Sequence, residues 1–200
     1  MRPLRALGAA AAAATVAVAV LAAAPAAAHA GDEAAAATDR HNPRGLYAGL
    51  GVGLSAYLVA PAYGGGPEGN LHLGVRVSEL LGFQVTLGGL WLVGVQLPGT
   101  ALGSVVDATA RLFVRTSGRW DPYIEGGAGL FYARTRDPVI VYRGLGFSAG
   151  LGHEVHISNF AIGMHARYVG VVGAKSTDPE VVMRGGGAMI EGELYTTVRF

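Results

Sequence analysis

The decamer VDATARLFVR, residues 106–115, decides the fold. Val106, Ala108, Ala110, Leu112 and Val114 are apolar, and Asp107, Thr109, Arg111, Phe113 and Arg115 alternate with them. Successive side chains of a β-strand point to opposite faces, so this period of two puts grease on one side and charge on the other. A helix face repeats every three or four residues and would mix the two sets.

The same alternation extends in both directions. Upstream, a first strand over Leu46–Leu58 turns Leu46, Ala48, Leu50, Val52, Leu54, Ala56 and Leu58 one way and Tyr47, Gly49, Gly51, Gly53, Ser55 and Tyr57 the other. Residues 61–69 are rich in glycine and proline and read as a loop. A second strand sets Leu71, Leu73, Val75 and Val77 against His72, Gly74 and Arg76, and a third sets Phe83, Val85, Leu87 and Trp91 against Gln84, Thr86 and Gly88. Downstream of the decamer, the fifth strand opposes Ile124, Ala128, Leu130 and Tyr132 to Tyr123, Glu125, Gly127 and Gly129. The sixth opposes Leu145, Phe147, Ala149 and Leu151 to Ser148, Gly150, Gly152 and Glu154. The seventh opposes Phe160, Ile162, Met164, Ala166 and Tyr168 to Gly163, His165 and Arg167. The eighth opposes Ile190, Leu194, Val198 and Phe200 to Glu191, Glu193, Tyr195, Thr197 and Arg199.

No charged side chain falls on any of these eight apolar faces. A charge facing mid-bilayer costs about 2–4 kcal/mol on a transmembrane barrel, so its exclusion is what lipid demands. In hydrocarbon every backbone N–H and C=O must pair, and strands satisfy that only by closing into a ring without edges. A soluble barrel or sandwich would turn the apolar faces inward and leave a glycine-rich surface, which forms strands poorly. Inside a narrow ring, glycine instead makes room for long polar side chains of other strands. The expectation is an all-β, eight-stranded antiparallel up-and-down transmembrane β-barrel over residues 45–200. Connections after strands one, three, five and seven read as longer than those after two, four and six. Phe83, Trp120, Phe160 and Phe200 read as one interfacial aromatic girdle, and Trp91, Tyr132 and Tyr168 as the other.

The start of the chain agrees. Met1, Arg2 and Arg5 precede an Ala/Val/Leu run that ends at Ala28-His29-Ala30, the pattern of a cleaved secretory signal over residues 1–30. Residues 31–44 read as a flexible lead-in. The expected location is the Gram-negative outer membrane. Cysteine is absent, which removes acylation, disulfides and thiolate metal sites together. The whole chain carries 15 Lys and Arg against 14 Asp and Glu, so nothing in its charge favours nucleic acid.

Three stretches carry a family resemblance: PYIEGGAGLFY (122–132), GFSAGLGHEVHISNFAIGMHARY (146–168) and the closing LYTTVRF (194–200). They resemble the small outer-membrane β-barrel proteins typified by the transmembrane domain of outer-membrane protein A. The likeness covers about residues 45–200. It implies a strand ending at Phe200 that the outer-membrane insertion machinery reads, and a surround of outer-membrane lipids and lipopolysaccharide. A monomer is expected. The motifs speak for an architecture rather than an activity.

The inward positions hold Arg76, Arg111, Arg115, Arg167 and Arg199 with Asp107, Glu125, Glu154, Glu191 and Glu193. Charges in a narrow ring have to pair, because a lone buried ion costs several kcal/mol, so a salt-bridged plug is expected rather than an open pore. A narrow ion or small-solute channel is the alternative.

The segment His156-Ile157-Ser158-Asn159 resembles the His-x-Ser-Asn string of outer-membrane lipid A deacylases, which would make His156 a base and Ser158 a nucleophile. A triad also requires an acid to orient the histidine, and none occurs between Ser158 and Asp178. A polar turn between strands six and seven is therefore the expected reading, and no catalytic residue is assigned. Gly49, Gly51 and Gly53 sit inside a strand, so they read as lumen filler rather than a phosphate loop. His72, His153, His156 and His165 show no metal-ligand spacing, and neither a metal nor a cofactor is expected. Specificity, if any, is expected in loops 61–69, 95–101, 135–141 and 174–185, with mixed charge at 175–184 facing solvent.

Overall fold

The computed structural model describes residues 44–59, 62–95, 100–114, 119–135, 141–176 and 187–200. The signal at 1–30, nearly all of the lead-in and Arg115 lie outside the described residues, as does most of loops 95–101, 135–141 and 174–185. The strands are β1 (Gly45–Val59), β2 (Ala62–Arg76), β3 (Leu81–Val95), β4 (Thr100–Phe113), β5 (Trp120–Thr135), β6 (Val141–Ile157), β7 (Phe160–Ser176) and β8 (Gly187–Arg199). Each pairs antiparallel with its sequence neighbour, and β1 closes on β8 from Tyr47 opposite Arg199 to Val59 opposite Gly187. Closure removes both sheet edges. Phe200 N–H adds a bond to Leu46 O at 3.0 Å across this seam, and Arg199 N–H donates to Asn159 O at 2.8 Å, tying the end of β8 to the turn before β7.

The alternating faces point as the sequence implies. Leu112, Leu130 and Ile162 are 52%, 61% and 47% exposed, whereas Arg111, Glu125 and His165, inward-facing on the same three strands, are buried. The outward residues form a continuous apolar surface of the kind that water-soluble monomers rarely expose. Phe83, Phe160 and Phe200 face out toward the end where β1 starts and β8 finishes, and Trp91, Tyr132 and Tyr168 face out higher on their strands. Trp120 is half-buried, its indole edge-on to the ring of His153 at 5.7 Å. His153 occupies an outward position in β6 and is covered by that indole, with neither ring nitrogen hydrogen-bonded.

Two expectations about connections are corrected. Residues 62–69, read as a loop, are the first half of β2, with Pro67 opposite Leu54 and Gly65 opposite Ala56. The long ladder to β1 overrides the turn preference of glycine and proline, and Pro67 lies on the exposed face. Nor do connection lengths alternate: the link after β1 is only residues 60–61, and the one after β4 spans 114–119. The strands, 13 to 17 residues long, also outrun the roughly ten residues that cross a bilayer. The start of β1 and the end of β8 lie at one end, here the near end, with the connections 77–80, 114–119 and 158–159.

Candidate functional site

The lumen is built by the inward residues of all eight strands and has two storeys. The lower is polar. Arg111 on β4 donates from Nε to Glu125 Oε2 at 2.9 Å on β5 and from Nη1 to Glu154 Oε1 at 3.2 Å on β6. Arg167 on β7 donates from Nε to Glu191 on β8 and from Nη1 to Asp107 on β4, both at 2.5 Å, so it spans the ring. Its Nη2 also lies against Glu191. Glu193 lies between two imidazoles: His72 Nε2 at 2.5 Å from one oxygen and His165 Nε2 at 3.1 Å from the other. Asn70 adds a 2.8 Å hydrogen bond to the same carboxylate.

Small residues make the space for this. A Cβ on Gly51 would fall on the Glu193 carboxylate, and one on Gly53 would stand 2.7 Å from Glu68 Oε1. Glycine at both positions is lumen clearance, in keeping with the filler reading and not with a phosphate loop. At the near mouth, Arg76 Nη1 donates to Asp121 Oδ2 at 2.6 Å and Nη2 to the Glu79 carbonyl at 2.6 Å, tying the β2–β3 turn to β5. Asp121 also holds His156 Nε2 at 3.1 Å.

Among the described residues the lumen and its near mouth thus hold four arginines (76, 111, 167 and 199) and seven carboxyl groups: Glu68, Asp107, Asp121, Glu125, Glu154, Glu191 and Glu193. Three imidazoles touch those carboxylates: His72 meets Glu193, His156 meets Asp121 and Glu154, and His165 meets Glu125 and Glu193. Every described residue of the inward charge set is buried and ion-paired, as a plug requires. Glu68, Asp121 and the histidine partners were missed by sequence reasoning. Glu68 was hidden in the supposed loop, although counting back by twos from His72 through Asn70 reaches it.

The upper storey was not foreseen. Tyr57, Leu90, Val105, Ala133, Tyr142, Val169, Val171 and Met189 pack into one buried apolar cluster near the far ends of the strands. This collar sits above the ionic layer and lines the bore with mostly apolar side chains. An ion passing it would leave both water and counter-charge behind, at a cost of several kcal/mol.

The enzyme-like string separates in space. His156 faces the lumen and is 3% exposed, bound to Asp121, an acid 35 residues upstream. Ser158 is exposed in the two-residue turn after β6, with φ at 58°. Histidine and acid meet, but the serine is exposed at the rim turn, and no hydrogen bond among the described residues joins Ser158 Oγ to the pair. The His72 and His165 rings lie 6.5 Å from one another, on either side of Glu193. Among the described residues no group of three or more His, Cys, Asp or Glu has metal-binding geometry.

No family model matches the chain, and no curated protein matches it by sequence. Solved structures do. The chain is similar to Neisserial surface protein A, with a TM-score of 0.66 at 14% identity, over 78% of this chain and 97% of that one. It is also similar to the outer membrane protein OprG from Pseudomonas aeruginosa, with a TM-score of 0.52 at 11% identity, over 80% and 98%. With closure, strand order and outward apolar faces in hand, these likenesses identify the chain's fold as that of the small eight-stranded outer-membrane β-barrels.

Proposed function

We propose that this protein is a non-enzymatic barrel of the Gram-negative outer membrane with a structural or surface-interaction role. The observation that carries the reading is the bore. Ionic cross-links span it below, and the apolar collar of Leu90, Val105, Val169 and Met189 closes it above. Such a cylinder stiffens a membrane and displays its far rim, and it offers no aqueous route. The exposed outer face, the outward Phe200 at 82% exposure and the basic, apolar, small-residue start of the chain support export, a cleaved signal and assembly by the insertion machinery.

Lipid hydrolysis is disfavoured because Ser158 and the His156–Asp121 pair do not share a site. The deciding experiment is single-channel recording on the refolded protein in a planar bilayer. Silence or rare brief flickers supports the closed cylinder. Stable steps of large unit conductance would replace it with the channel reading. Localisation is checked separately: the outer-membrane fraction should contain a band whose gel mobility changes on boiling.

A further inference from the structure

Among the described residues the outer wall is free of charge along its apolar belt, and two arginines stand together on that wall toward its far end. Arg134 on β5 and Arg143 on β6 are both exposed on the outward face at the far end. Arg143 is the direct register partner of Tyr132, and Arg134 that of Val141, which makes the two arginines diagonal neighbours on one face. Diagonal cross-strand neighbours lie about 7–8 Å apart, close enough for two guanidinium groups to share one phosphate. Among the described residues neither arginine has an ion-pair partner, unlike the buried arginines of the lumen. The backbone register then continues from Arg143 to Lys175 on β7, and across the other side from Arg134 through Leu102 to Trp91.

Height decides what these arginines meet. A strand rises about 3.3 Å per residue and tilts by about 40° here, so each residue climbs roughly 2.5 Å. Arg134 follows Trp120 by fourteen positions on β5, which places it roughly 35 Å up a wall whose apolar belt is about 25 Å tall. The arginines therefore stand just beyond the hydrocarbon, facing sideways into the headgroup layer rather than up into solvent or in toward the bore. Tyr132 stands beside Arg143, and Trp91 lies one strand past Leu102 from Arg134, both outward-facing as aromatic residues at such an interface are.

We propose that Arg134 and Arg143, flanked by Tyr132 and Trp91, form a lateral binding site for the phosphate groups of an outer-leaflet phosphorylated glycolipid. The site rests on the outer-membrane reading above, and it adds the residues and the chemical group recognised. Arginine forks match phosphate oxygens bidentately, and the rings give the sugar and the first methylenes of the acyl chains an amphipathic surface.

The test is binding of bisphosphorylated lipid A to the refolded full chain in detergent micelles, with heat-modifiable mobility confirming the barrel in every variant. With each cation near the membrane surface contributing about 1 kcal/mol, Arg134→Ser or Arg143→Ser should weaken binding roughly fivefold, and the double variant about 25-fold. Arg134→Lys should keep most of the affinity, and dephosphorylated lipid A should bind wild type and double variant equally weakly. Unchanged affinity of the double variant for bisphosphorylated lipid A would overturn the proposal. So would full competition by inorganic phosphate, which points to a free-anion site, or by phosphatidylglycerol vesicles, which points to any anionic lipid. Fractionation of cells tests the outer-membrane reading independently, since micelle binding is unaffected by where the protein resides.

Discussion

The phenol ring of Tyr195 lies across Gly163, its register partner on the neighbouring strand, and fills the volume a side chain there would occupy. Tyr47 covers its partner Gly74 and Tyr123 covers Gly152 in the same way. The tyrosines lie flat along the inner wall, which lets the Tyr195 hydroxyl donate to Glu154 Oε1 at 3.0 Å and meet the Tyr123 hydroxyl at 2.9 Å. Gly163→Ala drives a methyl group into a ring that the polar network holds in place. It should destabilise the barrel by about 1–3 kcal/mol, the usual cost of overpacking. Gly69→Ala is the control, because a Cβ there meets nothing within 4 Å. Urea unfolding midpoints of the two variants, refolded side by side, make the comparison, and equal midpoints would refute the packing account.

Arg167 cross-braces the lumen, gripping Asp107 and Glu191 on two other strands. Removing it strands two carboxylates at 5% and 2% exposure. Arg167→Met should therefore cost about 3–5 kcal/mol, whereas neutralising all three groups together (Arg167→Met, Asp107→Asn, Glu191→Gln) should recover at least half of that loss. The three sites share contacts, so their effects should be far from additive. Additive unfolding free energies would mean that the groups do not act as a unit.

The strands and the two faces were legible because lipid outside and ions inside give the period-two pattern its highest contrast, as at Asp107, Arg111 and Leu112. The pattern fails where that contrast fades. Around residues 89–95 and at Val105-Val106 both faces are apolar, so the inward Leu90 and Val105 merge with their outward neighbours and the collar stays hidden. Residues 62–69 are hidden for a different reason: local glycine and proline preferences say turn, and only pairing with β1 says strand. The link from Asp121 to His156 spans 35 residues and follows from register between β5 and β6, which no local spacing encodes.

The β6–β7 turn makes a sharper local prediction. Ser158 adopts φ of 58°, a left-handed conformation that costs an ordinary L-residue about 1–2 kcal/mol. Ser158→Gly should be neutral or slightly stabilising, and Ser158→Val should lose about 1–2 kcal/mol because a β-branched residue resists that region. Neither change should alter lipid A acylation measured by mass spectrometry of cell envelopes. Loss of acyl release in Ser158→Ala cells would restore the serine to a catalytic role.

The outward face can be probed by charge. Leu151 is 51% exposed, pairs with Ile124 and Ala166, and stands six positions above the near end of β6 at Ile157, about 15 Å up and so near the middle of the belt. Val77, 48% exposed, follows β2 at the near rim. If acyl chains wet this surface, Leu151→Arg should cost about 2–4 kcal/mol in lipid vesicles, and Val77→Arg at most about 1 kcal/mol. The depth dependence discriminates, since two similarly exposed positions on a water-soluble protein would both accept arginine with little effect. Equal, near-zero costs at the two positions would show that hydrocarbon does not surround the wall, and the inward turning of Arg111, Arg167 and their partners would then lack its physical cause.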